Sequence, residues 1–424
     1  MTTATLARAD RPLQGTVEVP GSKSVSNRAL VCAALAVGAS RVHGVGDGDD
    51  TARMVQGLRQ LGVRIDADAS DLVVHGPIDV DGAPTTIDAG LAGTTSRFLT
   101  AVAALRSKPT VVTGAEALRR RPMGDLHRLL RELGADVVAG TEGRLPVTVS
   151  GLRASPDARR LVARGDVSSQ FVSAVMMVAP CIGGVRLALA GDVPSRGYLK
   201  MTADVMTRFG ARVAVSNDGI EVSSTPYRAG EFVVPADWSS AGYPFAAAAI
   251  AGGEVRVPGL RDDGTQPEAG FVEVLKRMGC TARTDERGIA VLRDPGTALR
   301  GVDADMSAMS DLVPTLAAVA VCAATPTRIR GVGFIRNKES DRIGDLAAEL
   351  RECGAEVGVH DDGLSIEPSR LRGCVVQPHD DHRLAMSLAL LSLREPGIVV
   401  ADAAVVGKSW PAYWTAMRLG LGLG

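Results

Sequence analysis

Aromatic residues are scarce in this chain: Phe, Trp and Tyr make up 3% of its 424 residues. A surface that binds single-stranded nucleic acid by stacking its bases needs more of them. An excess of either charge is also missing, with 47 Lys plus Arg set against 48 Asp plus Glu and a formal net charge of −1. This excludes the basic footprint by which proteins hold nucleic acid or anionic membranes. Apolar runs are short, each broken by Gly, Ser or a charge before the roughly 20 residues of a membrane span. The opening Met1-Thr2-Thr3-Ala4-Thr5 has no basic stretch leading into an apolar core, so no secretory leader is expected. Six cysteines (Cys32, Cys181, Cys280, Cys322, Cys353 and Cys374) stand far apart in sequence without a CxxC pair. Buried, reduced thiols in a cytoplasmic protein are expected. Lysine is sparse as well, with six among the 47 basic residues.

What is present is a globular composition, 46% apolar and 22% charged, on a chain long enough for two domains of roughly 200 residues. The chain also repeats itself. An amphipathic helical pattern ending in Gly and followed by a short strand recurs at Gly62, Gly134, Gly210, Gly279 and Gly354, and a sixth helix ends at Gly420. The spacings are 72, 76, 69, 75 and 66 residues. Gly after a last helical turn supplies the left-handed cap. Turn signals such as Asn217-Asp218-Gly219 and Asp361-Asp362-Gly363 follow, then a second apolar strand, which reads as a hairpin.

A second recurring segment is a polar cluster opening an Ala/Leu/Val-rich helix. It appears at Ser24-Val25-Ser26-Asn27, Thr94-Thr95-Ser96-Arg97, Ser168-Ser169-Gln170, Ser239-Ser240-Ala241, Ser310-Asp311-Leu312 and Asp380-Asp381-His382-Arg383. These are N-cap signatures on helices apolar nearly all round, hence buried. Six βαβαββ-like units, three per domain, account for this periodicity. A single large doubly wound sheet does not predict such even spacing.

A helix N-terminus exposes unpaired N–H groups and a partial positive charge, so several together make an anion site. Some of these caps also carry cations. Pro20-Gly21-Ser22-Lys23-Ser24 leads to Arg28, Gly93 precedes Arg97, and Arg119-Arg120-Arg121 precedes Pro122, which places Arg121 near a helix start. Asp166-Val167-Ser168-Ser169-Gln170 is a donor cluster suited to phosphate oxygens. Phe334 to Arg342, His379 to Arg383 and Val406 to Pro411 add further charge. The GxxxxGK[ST] spacing of a Walker loop is absent from the first of these segments. His379 and His382 lack a third-ligand pattern, so no metal is expected.

Taken together, PGSKS-x-x-NRAL (Pro20 to Leu30), GTT-x-R (Gly93 to Arg97), RPMGDL (Arg121 to Leu126), SSQF (Ser168 to Phe171), KESDR (Lys338 to Arg342) and DHRLAM (Asp381 to Met386) resemble the 5-enolpyruvylshikimate-3-phosphate synthases, members of the enolpyruvyl transferase family. The motifs run in order along essentially the whole chain. The resemblance implies an α/β fold of two domains, each with three βαβαββ repeats in an inside-out α/β barrel. One domain would span 22–235. The other would join 1–21 to 236–424, with the active site in the cleft between them. It implies transfer of the enolpyruvyl group of phosphoenolpyruvate to the 5-hydroxyl of shikimate 3-phosphate, a step toward chorismate and the aromatic amino acids. Those two small molecules would be the partners, with no nucleic acid, no membrane, no metal and no organic cofactor, and the protein would be a monomer.

Carried over residue by residue, the resemblance puts Ser24 and Arg28 at the carboxylate of shikimate 3-phosphate and Ser168, Ser169 and Ser195 at its phosphate. Gln170 would reach both substrates and Lys23 would sit between them. Gly93, Arg121 and Lys408 would face the phosphate of phosphoenolpyruvate, and Arg342 and Arg383 its carboxylate. Asp311 would hold the acceptor hydroxyls and act as base, Glu339 would protonate the methylene carbon, and Lys338 would support the acceptor. Both substrates carry a carboxylate and a phosphate, which matches the planar Arg fork and the Lys point charge respectively. Three positions depart from the family pattern: Leu91 stands in place of Asn, Phe98 in place of Pro, and Phe334 in place of an acceptor-binding Asn. Gly93 is retained, and the expectation is that the herbicide glyphosate, longer than phosphoenolpyruvate, still fits. The related UDP-N-acetylglucosamine enolpyruvyl transferases differ in carrying Lys-Asn near the start and a reactive loop Cys. Here Lys23 is followed by Ser24, and no Cys lies between Cys32 and Cys181.

Overall fold

The structure is a computed structural model that describes residues 2–68, 71–155, 157–164, 168–191 and 195–423. The chain forms two compact units, one of Met1–Pro20 with Ala236–Gly424, the other of Gly21–Pro235.

In the unit Gly21–Pro235, three separate four-stranded sheets share one plan. The first strand lies parallel to the second, and a hairpin then adds two antiparallel strands. The sheets are Glu231–Val233/Gly38–His43/Asp71–Gly76/Arg64–Asp68, Thr85–Asp88/Thr110–Thr113/Val147–Ser150/Asp136–Ala139 and Arg159–Arg164/Val185–Ala190/Gly219–Val222/Val213–Val215. Residues along these strands alternate between buried and exposed, as on sheets with one face toward a core. The helices Gly93–Ala104 and Ser169–Val178 connect the parallel strands of their sheets, Lys23–Leu35 leads into Gly38–His43, and nearly every residue in the three is buried. Small side chains let such helices lie against neighbours on all sides, so they lack a polar face.

The helices Asp49–Gln60, Gly124–Glu132 and Gly197–Arg208 are amphipathic instead, and Leu58, Leu129, Leu130, Val205 and Met206 bury their inner faces. Each buried Leu, Val or Met contributes about 1.5–3 kcal/mol, which makes the inner stripe the chief support of these short helices. Each hands over to its hairpin through a glycine with positive φ: Gly62 (89°), Gly134 (89°) and Gly210 (87°).

The other unit repeats the plan in the sheets Leu13–Thr16/Gly253–Pro258/Gly288–Arg293/Thr281–Asp285 and Asp303–Asp305/Thr327–Arg330/Gly363–Glu367/Glu356–His360. Its buried helices are Trp238–Ala251, Val313–Ala320 and His382–Ala389. Its outer helices are Phe271–Arg277, Gly344–Glu352 and Tyr413–Leu421. Among the described residues no sheet exceeds four strands and none closes into a barrel, which removes the single doubly wound sheet. The mixed α/β architecture read from the repeat is the one found.

Three sequence expectations change. The sixth repeat is incomplete: Val375–Val376 and Val399–Val400 form a two-stranded sheet, and an antiparallel bridge from Ala4 to Val400 stands where a hairpin would pair. Gly420 does not cap the last helix. It lies inside Tyr413–Leu421, and Gly422 (φ 65°) takes the left-handed position. The helix after Arg121 starts at Gly124 rather than Pro122, because Arg121 still closes the preceding turn through its N–H to the Leu118 carbonyl.

In both units the first strand of the first sheet comes from a distant part of the chain. Glu231–Val233 completes the sheet of the first repeat, and Leu13–Thr16 completes that of the fourth. Backbone bonds fix these returns: Ser22 N–H donates to Pro235 O (2.8 Å) within one unit, and Asp237 N–H donates to Pro20 O (2.9 Å) within the other.

Candidate active site

In the unit Gly21–Pro235, the N-terminal turns of the three buried helices carry the polar motifs. Only Ser168 caps its helix with a side chain, accepting from the Gln170 N–H. Ser22 and Ala92 make no side-chain cap. The clusters that read as caps lie one turn further in. Thr95 donates to Asp50 O (2.9 Å) and Ser96 to Gly93 O (2.9 Å). Asp166 and Val167, which open the Ser168 motif, lie outside the described residues.

The cations here are placed by packing. Lys23 Nζ sits 2.9 Å from Asp50 Oδ2, a carboxylate buried at the start of Asp49–Gln60. Arg28 is buried. Its Nε donates to Thr202 Oγ1 (2.7 Å), one terminal nitrogen donates to Ser24 O (2.8 Å), and its guanidinium lies 5.2 Å from the Phe98 ring centroid. Arg97 donates to Gln170 Oε1 and lies 5.0 Å from the centroid of Phe171. A Cβ built on Gly93 would meet Arg121 Nη1 at 2.7 Å, so a guanidinium occupies the space that only glycine leaves at this helix start. Ser169 and Ser195 are buried, and Ser195 holds a positive φ of 64°. That backbone conformation is uncommon for a residue other than glycine.

In the other unit the charges interlock. Arg342 is 1% exposed and faces three carboxylates. Its Nε donates to Asp381 Oδ2 (2.6 Å), Nη1 to Asp311 Oδ1 (2.8 Å) and Nη2 to Glu339 Oε2 (2.8 Å). The outer oxygens of two of these carboxylates take further cations. Arg383 Nη2 donates to Asp311 Oδ2 (2.7 Å), and Lys408 Nζ donates to Glu339 Oε1 (2.9 Å). The result is an alternating chain, Lys408–Glu339–Arg342–Asp311–Arg383, with Asp381 bonded to its centre. Burial by itself lowers the pKa of Arg342, but Asp381, Glu339 and Asp311 outweigh it and hold the guanidinium above the ordinary arginine range. Tyr243, wholly buried among Arg383, Arg342 and Asp381, has its phenol pushed by burial up to about 12.

The local fold explains the convergence. Asp311 lies in the 3₁₀ turn Ser307–Leu312 that enters Val313–Ala320. Asp381 caps His382–Ala389 through the Arg383 N–H (2.8 Å), and Glu339 and Arg342 precede Gly344–Glu352. Lys408 ends the 3₁₀ turn Ala403–Lys408. Lys338 Nζ lies 6.0 Å from the Phe334 ring centroid.

Of the residues read from the sequence, one unit brings together Asp311, Glu339, Arg342, Arg383 and Lys408. The other places Gly93 against Arg121, and Ser168 and Gln170 against Arg97. Three residues were missed as site members: Asp50, Arg97 and Asp381. Arg97 and Asp381 lie within motifs and Asp50 lies outside them, and only the fold shows each against a site side chain. Two of the three departures, Phe98 and Phe334, are rings under site cations, whereas Leu91 is exposed. Among the described residues no group of three His, Cys, Asp or Glu is arranged to hold a metal, and no helix is long and apolar enough to cross a membrane.

Comparison with known proteins agrees along the whole length. Residues 7–417 match the family model for EPSP synthase (3-phosphoshikimate 1-carboxyvinyltransferase). The 3-phosphoshikimate 1-carboxyvinyltransferase of Methanoculleus marisnigri is 41% identical over 413 residues, covering 96% of both chains. That of Methanopyrus kandleri is 41% identical over 411 residues, covering 95% of this chain and 94% of its own. Among solved structures, EPSP synthase from Acinetobacter baumannii superposes with a TM-score of 0.79 at 26% identity, covering 98% of each chain. The enolpyruvyl transferase NikO from Streptomyces tendae, at 18% identity and a TM-score of 0.77 over 100% of this chain and 98% of its own, shares the fold. With its motifs in order, both units built from the same repeat and these matches end to end, the chain belongs to the EPSP synthase (3-phosphoshikimate 1-carboxyvinyltransferase) family.

Proposed function

We propose that this protein transfers the enolpyruvyl group of phosphoenolpyruvate to the 5-hydroxyl of shikimate 3-phosphate, releasing inorganic phosphate. The observation that carries the reading is the Lys408–Glu339–Arg342–Asp311–Arg383 chain, which sets two carboxylates among three cations in a mostly buried place. Addition of the hydroxyl across the enol double bond needs a proton removed from oxygen and one delivered to the methylene carbon. Elimination then removes a proton from the resulting methyl group and expels phosphate, restoring the double bond. Two carboxylates on opposite sides of Arg342 suit those two tasks. In this reading Asp311 takes the hydroxyl proton and Glu339 delivers the proton to carbon, while Lys23 stands between the substrates.

Arg342 and Arg383 would then turn their forks from carboxylates of the protein to that of phosphoenolpyruvate. Lys408, Arg121 and the Gly93 backbone would take its phosphate. Ser168, Ser169 and Ser195 would hold the phosphate of shikimate 3-phosphate, and Ser24 and Arg28 its carboxylate, with Gln170 and Lys338 supporting. Ser24 is half-buried, Ser168 already caps its helix, and Arg28 is pre-set by Thr202 and the Ser24 carbonyl, which fits an orienting role. Glyphosate would compete for the space beside Gly93. The reaction balances without an electron carrier, and the reading has the protein working as a cytoplasmic monomer.

The test is phosphate release by the purified protein with both substrates. Release is expected only when both are present, and Asp311→Asn and Glu339→Gln should each lower kcat by about 10²–10⁴-fold while KM changes little. Phosphate release from phosphoenolpyruvate alone at the same rate, or full activity in both variants, would refute the reading.

A further inference from the structure

The helix Gly344–Glu352 and the segment from Arg372 to Asp381 are tied at successive levels. Beyond the N-terminal end of the helix, Arg342 pairs with Asp381. Within the helix, Glu349 accepts from the Gln377 N–H (2.8 Å) and lies 2.7 Å from His379 Nε2. Just past its C-terminal end, the Arg372 N–H donates to Cys353 O (2.8 Å), and the Cys374 N-terminal flank thereby runs alongside Cys353. Glu349 and Cys353 are four residues apart and so share a helix face. On that face the Cys353 and Cys374 sulfurs stand 2.6 Å apart, little more than half an ångström beyond a covalent S–S bond of about 2.05 Å. Residues 21 apart in sequence are brought together by the hairpin Glu356–His360/Gly363–Glu367 that lies between them.

We propose that Cys353 and Cys374 are a redox modification site, forming a reversible intramolecular disulfide on reaction with a low-molecular-weight disulfide. Cys353 is buried and Cys374 only partly so, which assigns the order of events. The Cys374 thiolate attacks the external disulfide, forming a mixed disulfide and releasing one thiolate. The Cys353 thiolate then attacks the Cys374 sulfur and displaces the second. Two protein thiols are oxidised, one external disulfide is reduced to two thiols, and the two protein protons pass to those products. Burial raises the pKa of both thiols, which keeps the thiolate fraction small and makes the exchange slow. Disulfides of this kind in reducing compartments are typically transient. The bond would add a further tie at the end of the helix away from Arg342, about 13 Å along its axis, bracing the two motifs without touching the charges.

The test uses the full chain carrying Cys181→Ser, which removes an exposed thiol. The protein is treated with oxidised glutathione, alkylated, digested without reduction and examined by mass spectrometry. A peptide pair joined through Cys353 and Cys374 is expected, with Cys32, Cys280 and Cys322 alkylated. The thermal midpoint should rise by about 5 °C and return on addition of dithiothreitol. Cys353→Ala should trap glutathione on Cys374, and Cys374→Ala should leave Cys353 alkylatable only after unfolding. Phosphate release with both substrates should change less than twofold on oxidation. Persistence of both free thiols, separate glutathione adducts on the two cysteines of the Cys181→Ser protein, or a joined pair with an unchanged or lowered midpoint would each overturn the proposal.

Discussion

The two units share a repeat but surround Arg28 and Arg97 differently from Arg342. In Gly21–Pro235, Arg28 rests on hydroxyls, a carbonyl and the Phe98 ring, and Arg97 rests on Gln170 and the Phe171 ring. In the other unit, Arg342 is enclosed by Asp311, Glu339 and Asp381. Neutral oxygens and ring faces hold a guanidinium in place without taking up or releasing protons near neutral pH. Carboxylates hold it as firmly but cancel the charge, and they can themselves exchange protons. In the proposed function the same helix ends would serve as an orienting cradle in one unit and as acid–base machinery in the other.

The largest test of that contrast is at the hub. Arg342→Met leaves Asp381, wholly buried, without its main counter-charge. Breaking a buried pair in this way costs about 3–5 kcal/mol. Urea unfolding should report that loss, and phosphate release should fall below detection. Arg28→Met, which removes the bonds to the neutral oxygens of Thr202 and Ser24, should cost clearly less stability. Equal losses in the two variants would erase the distinction between the units.

Gly93→Ala has a smaller effect of a different kind. The new Cβ would meet the end of the Arg121 side chain and not backbone, so the chain should fold with little change in midpoint. Displacing that guanidinium should raise KM for phosphoenolpyruvate roughly tenfold, an affinity loss of about 1.4 kcal/mol. The KM for shikimate 3-phosphate should move less. An unchanged KM for phosphoenolpyruvate would show that Arg121 does not face this substrate.

The mildest test is pH. His127 is wholly buried on Gly124–Glu132, and among the described residues neither ring nitrogen finds a partner. Burial, with Arg131 adding repulsion, pushes its pKa from 6.5 down to about 4. Between those values the unfolded chain binds more protons than the folded one. Stability is therefore full above pH 6.5 and is lost as pH falls toward 4, by about 2–3 kcal/mol. Thermal unfolding should show wild type losing stability relative to His127→Leu on acidification, with the change in their difference confined to that window. Parallel curves would show that the imidazole titrates no differently when folded.

Most of the architecture was legible because it is local. Helical periodicity, a glycine after each last turn and the turn signals before each second strand depend on neighbours in sequence, and Gly62, Gly134, Gly210, Gly279 and Gly354 all adopt positive φ. The sixth unit escaped this reading because its closing partner, Ala4, lies at the other end of the chain. The candidate site was legible as motifs, since each motif sits at one helix start. The partners Asp50, Arg97 and Asp381 were not, because sequence shows a residue's own charge and not which charge will face it. The caps show the same limit: Ser168 caps its helix as its residue type suggests, whereas Ser22 makes no side-chain cap and Thr95 turns to the carbonyl of Asp50.

From sequence alone, then, come the repeat, the buried character of six helices and the set of charged residues at their starts. These follow from residue type and spacing. Tertiary structure decided the pairing: that Arg342 would bind three carboxylates, that Arg28 would lie over Phe98, and that Cys353 would meet Cys374. Such contacts join side chains that no local rule relates. Their geometry is set by how buried helices and hairpins pack, and that packing is a property of the whole fold.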